Sequence, residues 1–150
     1  MECVIFIGIQ ASGKSTFYKE KFFKTHMRIN LDMLRSRHRE GVFLEASLRT
    51  SLPFVVDNTN PTMEDRKKYI ELAQKYKFKI VGYYFEPNYE LSVERNERRQ
   101  GKEKVAEVGI RSTLKKLQPP SYQEGFDELY RVRSDSDGFQ IESITKDGAR

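Results

Sequence analysis

Along the chain, short unbroken apolar runs alternate with longer stretches in which apolar residues recur three and four positions apart. The first pattern reads as buried strand, the second as amphipathic helix. Val4-Ile5-Phe6-Ile7 is the first strand, Lys14 to Phe23 a helix, and Met27 to Asn30 a short second strand. Asp32 to Arg39 reads as a turn or short helix. Glu40 to Ser51 follows as an amphipathic helix with Phe43, Leu44, Ser47 and Leu48 on one face, stopped by Pro53. Phe54-Val55-Val56-Asp57 is a brief strand, Asn58 to Pro61 a turn, and Thr62 to Tyr76 a helix. Lys79 to Phe85 forms the fourth strand, and Asn88 caps a helix that runs to Arg99. The polar stretch Gln100 to Lys104 suits a mobile cover, and Val105 to Leu117 reads as a helix ended by Pro119-Pro120. Leu129 to Arg133 and Phe139 to Ile144 supply the last strands around the polar turn Ser134 to Gly138; the tail Thr145 to Arg150 reads as disordered.

Strands separated by helices imply an α/β architecture, a parallel sheet with helices on both faces, because each parallel connection needs a crossover. Ligands of such sheets gather at the carboxyl ends of the strands. The most polar motifs, Gly8 to Ser15, Asn30 to Arg35 and Asp57 to Asn60, each follow a predicted strand at that end, so they are expected to meet in one cleft. A chain of 150 residues supports one core. Residues 1–144 are therefore expected to form one domain, with 145–150 as a flexible tail.

Gly8-Ile9-Gln10-Ala11-Ser12-Gly13-Lys14-Ser15-Thr16 carries the chemistry. This GxxxxGKST run stands between an apolar strand and a helix, where backbone amides turn inward and the helix N-terminus favours anions. Gly8, Ala11, Ser12, Gly13, Lys14, Ser15 and Thr16 are expected to cradle the phosphates of ATP. Lys14 would neutralise the β and γ groups and Ser15 would ligate Mg²⁺.

Phosphoryl transfer also needs a base, a place for the metal, and positive charge over the moving group. Asp32, two residues beyond Asn30, is the candidate general base, with a helix N-cap as the plainer alternative. Arg35 lies one helical turn later and would hold an acceptor phosphate. Asp57 closes an apolar strand beside the phosphate loop and could bind the metal through water, as could Asp32; an ordinary strand-end turn is the alternative for Asp57. Arg95 and Arg99 share a helical face, as a lid over phosphates requires, unless they belong to a solvated helix end.

The net charge of +5 suits a polyanionic partner. Many lysines, Lys67-Lys68 among them, equally suit a solvated helix surface. The lone Cys3 can form no internal disulfide, and His26 and His38 lack partners at zinc-ligand spacing. No apolar run reaches membrane-spanning length, and Met1 leads almost directly into the first strand, so a cytoplasmic protein without a membrane partner is expected.

Together, the GxxxxGKST loop, Asn30-Leu31-Asp32 with Arg35, Asp57-Asn58-Thr59-Asn60-Pro61 with Arg66, and Arg95-Asn96 with Arg99 resemble the kinase domain of polynucleotide 5′-hydroxyl kinases, the end-healing enzymes. The resemblance runs from Val4 to Phe126. It implies an adenylate-kinase-like P-loop NTPase fold with a short lid, an RNA or DNA acceptor, Asp32 as general base, and Arg35 as the clamp on the acceptor phosphate. It further implies Arg95 and Arg99 as lid arginines near the donor phosphates, Arg99 among the catalytic groups, and Asp57, Asn58, Thr59 and Asn60 as the cleft floor that meets the substrate. Gln10-Ala11 departs from the Pro-Gly common in that family's loop. The residues themselves leave open a kinase of a small hydroxylated metabolite or nucleoside, and a nucleotide-dependent binding module without catalysis.

Overall fold

The structure is a computed structural model, and it describes residues 1–101, 104–135 and 137–146. In chain order it contains β1 (Glu2–Ile7), α1 (Lys14–Lys21), β2 (Met27–Ile29), α2 (Leu31–Leu34), α3 (Arg37–Arg49), β3 (Phe54–Val56) and α4 (Met63–Lys75). There follow β4 (Lys79–Phe85), α5 (Tyr89–Glu97), α6 (Glu107–Lys116), a 3₁₀ turn (Tyr122–Glu124), β5 (Glu128–Asp135) and β6 (Gly138–Ile144).

The six strands form one sheet in the order β2-β3-β1-β4-β5-β6. β2, β3, β1, β4 and β5 pair in parallel, whereas β5 and β6 are antiparallel. β6 follows β5 too closely for a crossover helix, so the short turn between them makes a hairpin and the sheet is parallel except at this edge pair.

β1 explains the two-faced core. Its side chains alternate, so Cys3, Ile5 and Ile7 enter one apolar cluster with Leu44, Leu48, Tyr69, Ile70 and Ala73 of α3 and α4. Val4 and Phe6 enter the other, with Phe17, Tyr18 and Phe22 from α1 and its end. That second cluster is aromatic: the Phe17 ring lies 5.7 Å from Phe6 and 5.3 Å from Phe85, both edge-on. Truncating Phe17 to alanine is expected to cost about 3–5 kcal/mol. Cys3 is a free buried thiol whose pKa is pushed up by burial and by Glu2.

Several boundaries differ from the sequence reading, for identifiable reasons. Asn30 caps α2 by accepting a hydrogen bond from the Met33 N–H, and Ser36 caps α3 by accepting from Arg39. Capping at Ser36 starts α3 at Arg37 and places Glu40 in its first turn, buried, while Phe43 stays 40% exposed, off the core face. Thr62 stands outside α4 as half of a capping box with Asp65. α1 ends at Lys21, α5 ends at Glu97, and α6 begins at Glu107. Residues 102–103 of the expected cover, 136 of the hairpin turn and 147–150 of the expected tail lie outside the described residues.

Candidate active site

The carboxyl ends of β1, β2 and β3 bring the polar motifs together. Gly8 follows β1, and a Cβ there would stand 2.8 Å from the Phe85 Cβ, so the close passage of the loop over β4 requires glycine. Gly13 caps α1 at φ 98°, in the left-handed region. Lys14 curls back over the loop: its Nζ donates to the Gly8 carbonyl at 3.0 Å, the Ile9 carbonyl at 2.6 Å and Ser12 Oγ at 3.3 Å. Burial lowers the Lys14 pKa from 10.5 to about 8, against the opposing pull of Asp57 and Asp32 and with a further push from Arg99. Those electrostatic partners put Asp57, Asp32 and Arg99 in the field of the loop lysine.

Asp57 is buried, and its Oδ2 lies 3.4 Å from Ser15 Oγ. Two hard oxygens at this separation, one a carboxylate, are a donor set of the kind Mg²⁺ prefers. The sequence reading passed over a third member, Arg28 of β2. Its Nε donates to Asp57 Oδ2 at 2.8 Å and its Nη2 to Ser15 Oγ at 2.9 Å.

Asn58, Thr59 and Asn60, the expected cleft floor, are fixed by bonds to the scaffold. The Thr59 carbonyl accepts from Gly8 N–H at 3.0 Å, and Asn60 Nδ2 donates to the Phe6 carbonyl at 2.8 Å. Asn58 Oδ1 accepts from Leu31 N–H at 2.9 Å, while its Nδ2 donates to Glu40 Oε2 at 3.1 Å. Glu40, also missed in the sequence, is held as a carboxylate. Burial opposes its charge, but hydrogen bonds from Lys68, Arg37 and Tyr69 outweigh burial and lower its pKa. The signal for Glu40 was the Ser36 cap, which fixes which residue of the run 37–40 faces inward. Arg66 is fully buried and forms a two-point pair with Glu124, while its Nη1 donates to the Asn60 and Gln118 carbonyls. Its place is therefore in the scaffold beneath the floor.

Asp32 is exposed in the first turn of α2, and since Asn30 makes the cap bond, the capping alternative for Asp32 does not hold. Arg35 is exposed and ends α2 at φ 74°, a left-handed conformation strained for any residue with a Cβ.

On the other side of the loop, Arg95 Nη2 donates to Ser134 Oγ at 2.6 Å, and its guanidinium reaches within 3.4 Å of where a Cβ on Gly13 would stand. Burial, then Arg99 and Arg98, depress its pKa. Asn96 reaches across to Val105 with both ends of its amide: its Nδ2 donates to the Val105 carbonyl at 2.6 Å and its Oδ1 accepts from Val105 N–H at 2.9 Å. Arg99 sits just past this clamp, its N–H bonded to the Asn96 carbonyl. Gln10 ties the loop to α6 through Thr113 Oγ1 at 3.0 Å, and its Oε1 is buried without a hydrogen-bond partner. Among the described residues no helix is long and apolar enough to cross a membrane.

Comparison with known proteins follows these contours. The AAA domain family matches residues 3–120. A bifunctional polynucleotide phosphatase/kinase of Schizosaccharomyces pombe is 29% identical over 135 residues, covering 87% of this chain and 33% of that protein. The chain thus spans about a third of the length of the curated relatives it matches. Among solved structures, Chaetomium thermophilum Kti12 in complex with ADP-AlF3 superposes with a TM-score of 0.67 at 14% identity, over 90% of this chain and 92% of that one. A gluconokinase from Sinorhizobium meliloti does so with a TM-score of 0.60 at 19% identity, over 88% and 82%. The structures establish a shared P-loop fold, and the curated relative agrees with the resemblance read from the motifs.

Proposed function

The chain belongs to the AAA domain family, and from that premise we propose that it is an ATP-dependent kinase that transfers the γ-phosphoryl group to a 5′-hydroxyl end of RNA or DNA. The observation that carries the reading is the position of Asp32: Asn30 performs the capping, and the carboxylate lies instead in the field of Lys14 at the mouth of the donor loop. The polynucleotide kinase named among its relatives and the excess positive charge favour a nucleic-acid acceptor.

In this reading the loop amides and Lys14 hold the β and γ phosphates, and Arg95 and Arg99 lie over them from the lid side. Ser15, with Asp57 acting through water, would hold Mg²⁺, which would supply charge neutralisation. Asp32 takes the proton of the acceptor hydroxyl as its oxygen bonds to the γ-phosphorus. The bond from that phosphorus to the β–γ bridging oxygen breaks, and ADP leaves with the electron pair. Arg35 grips the phosphate that follows the terminal nucleoside.

The test is direct. The protein is incubated with γ-labelled ATP and Mg²⁺ against 5′-hydroxyl RNA and DNA oligonucleotides and a panel of sugars and nucleosides. Label on the oligonucleotide 5′ end is the expected result. Label on a small neutral metabolite alone transfers the proposal to a metabolite kinase, and nucleotide binding without any transfer leaves a binding module.

A further inference from the structure

Arg28 lies on the edge strand β2, opposite Val55 in the parallel register. Ile29 enters the cluster beneath α3 and α4, so strand alternation sends Arg28 to the other face, toward α1. There α1 presents Ser15 and, one turn on, Tyr18. The Arg28 side chain reaches past Tyr18, its Cζ 5.9 Å from the ring centroid, and spreads its fork over two groups. Nε donates to Asp57 Oδ2, and Nη2 donates to Ser15 Oγ. The two oxygens it joins are the pair the proposed kinase uses for its metal, and the Asp57 side chain is 2% exposed, so its charge depends on an internal partner.

We propose that Arg28 is an internal stand-in for the metal. Its guanidinium bridges Ser15 and Asp57 in the nucleotide-free protein and gives way when Mg²⁺–nucleotide is taken up, withdrawing along the face of Tyr18. The inference rests on the kinase reading above. A planar fork suits the task because Nε and Nη2 point at two acceptors at once, which the single ammonium of lysine cannot reproduce. Tyr18 supplies an aromatic face on which a displaced guanidinium keeps a favourable contact. The arrangement has a functional consequence. Any cation entering the pair displaces a charge already there, so a free divalent ion binds weakly, and only the chelated metal, with phosphates to occupy the loop, competes well. The donor site then fills with metal and nucleotide together.

Two measurements test this. Mn²⁺ binding to nucleotide-free protein is followed by electron paramagnetic resonance in the wild type and in Arg28→Met, which keeps the apolar stem against Tyr18 and removes the charge. The substitution is expected to tighten Mn²⁺ binding by about tenfold or more, since an ion-competent pair is then populated without competition. Unchanged affinity overturns the proposal. The second measurement needs no variant: the Arg28 Nε–H resonance of the wild type is followed while a non-hydrolysable ATP analogue is added, first with EDTA and then with Mg²⁺. The resonance is expected to shift on addition of Mg²⁺. If the loop amides Gly13 to Ser15 respond to Mg²⁺–nucleotide while the Arg28 signal does not, Arg28 is a fixed structural partner of Asp57 and the proposal fails with the kinase reading intact. If the loop amides do not respond either, the donor-site reading itself fails.

Discussion

The proposed donor and acceptor sides of the site are built to different standards. On the donor side Lys14 and Asp57 are buried, the loop is fastened to the cleft floor through Gly8 and Thr59, and Gln10 binds it to α6. On the acceptor side Asp32 and Arg35 are both exposed, carried by the four-residue helix α2, which ends in a left-handed arginine. Phosphates of one nucleotide present the same geometry every time, so a rigid site can be aimed at them in advance. The nucleic-acid end proposed as acceptor would vary in base and sugar, and a short, exposed element would accommodate that variety at the cost of precision. What joins the halves is Asn58, which follows Asp57 in the chain and reaches across to α2 and α3, accepting from Leu31 N–H and donating to Glu40.

The largest effect is expected on the rigid side. Lys14→Ala removes the charge proposed to meet the β and γ phosphates and is expected to lower turnover by on the order of 10³, with thermal unfolding still cooperative. Turnover within a few fold of wild type in folded protein would break the donor-site account. Asp32→Asn tests the other half. It is expected to lower kcat by on the order of 10² with ATP affinity unchanged, because the base is lost while the donor loop is untouched. Asn30 already makes the cap bond, so near-normal kcat in this variant has no capping explanation and removes Asp32 from the chemistry.

How much of this was legible in the sequence follows the same division. The GxxxxGKST run and its strand-helix setting specify the donor loop, because few other loops need glycine where the backbone passes a neighbouring strand and again where it turns left-handed. The parallel order of the first five strands follows from their spacing. The edge hairpin follows in the same way, since the polar turn before Phe139 is too short for a crossover. What stayed hidden were the contacts of Arg28 and Glu40: each matters through partners from distant elements, Asp57 and Ser15 for one, Asn58 and Lys68 for the other, and the Ser36 cap marks which way Glu40 faces but not what it meets. Their spacing along the chain carries no trace of those contacts.

A pH titration sharpens the comparison with a smaller effect. Lys14 has a folded-state pKa near 8 against an ordinary 10.5. Below pH 8 the nucleotide-free protein already carries the charge that ATP needs. Above it the amine is neutral in the free protein and must take up a proton on binding, so ATP affinity is expected to fall by up to about tenfold per pH unit. The linkage to folding has the opposite sign: between about 8 and 10.5 the unfolded chain binds more protons than the folded one, so the Lys14 contribution to stability rises with pH. Calorimetric ATP binding from pH 7 to 10 checks the first trend. An affinity flat across that range would mean that Lys14 is not the group that meets the phosphates.

The smallest effect concerns Arg35, and it separates function from strain at one position. At φ 74° the residue is held in a conformation that glycine adopts freely. Arg35→Gly is therefore expected to stabilise the fold by up to about 1 kcal/mol, and Arg35→Ala is expected to do no such thing, because alanine retains the Cβ. Both variants lose the guanidinium. Both are expected to raise KM for a 5′-hydroxyl oligonucleotide far more than for ATP, and to make the fall of oligonucleotide affinity with salt shallower by about one unit of slope. A structural arginine predicts the reverse arrangement: the two variants would differ in KM as they differ in stability. Equal KM effects alongside unequal melting temperatures would show that the strain at residue 35 holds a charge outward toward the acceptor, the cost an exposed half-site bears for aiming one side chain.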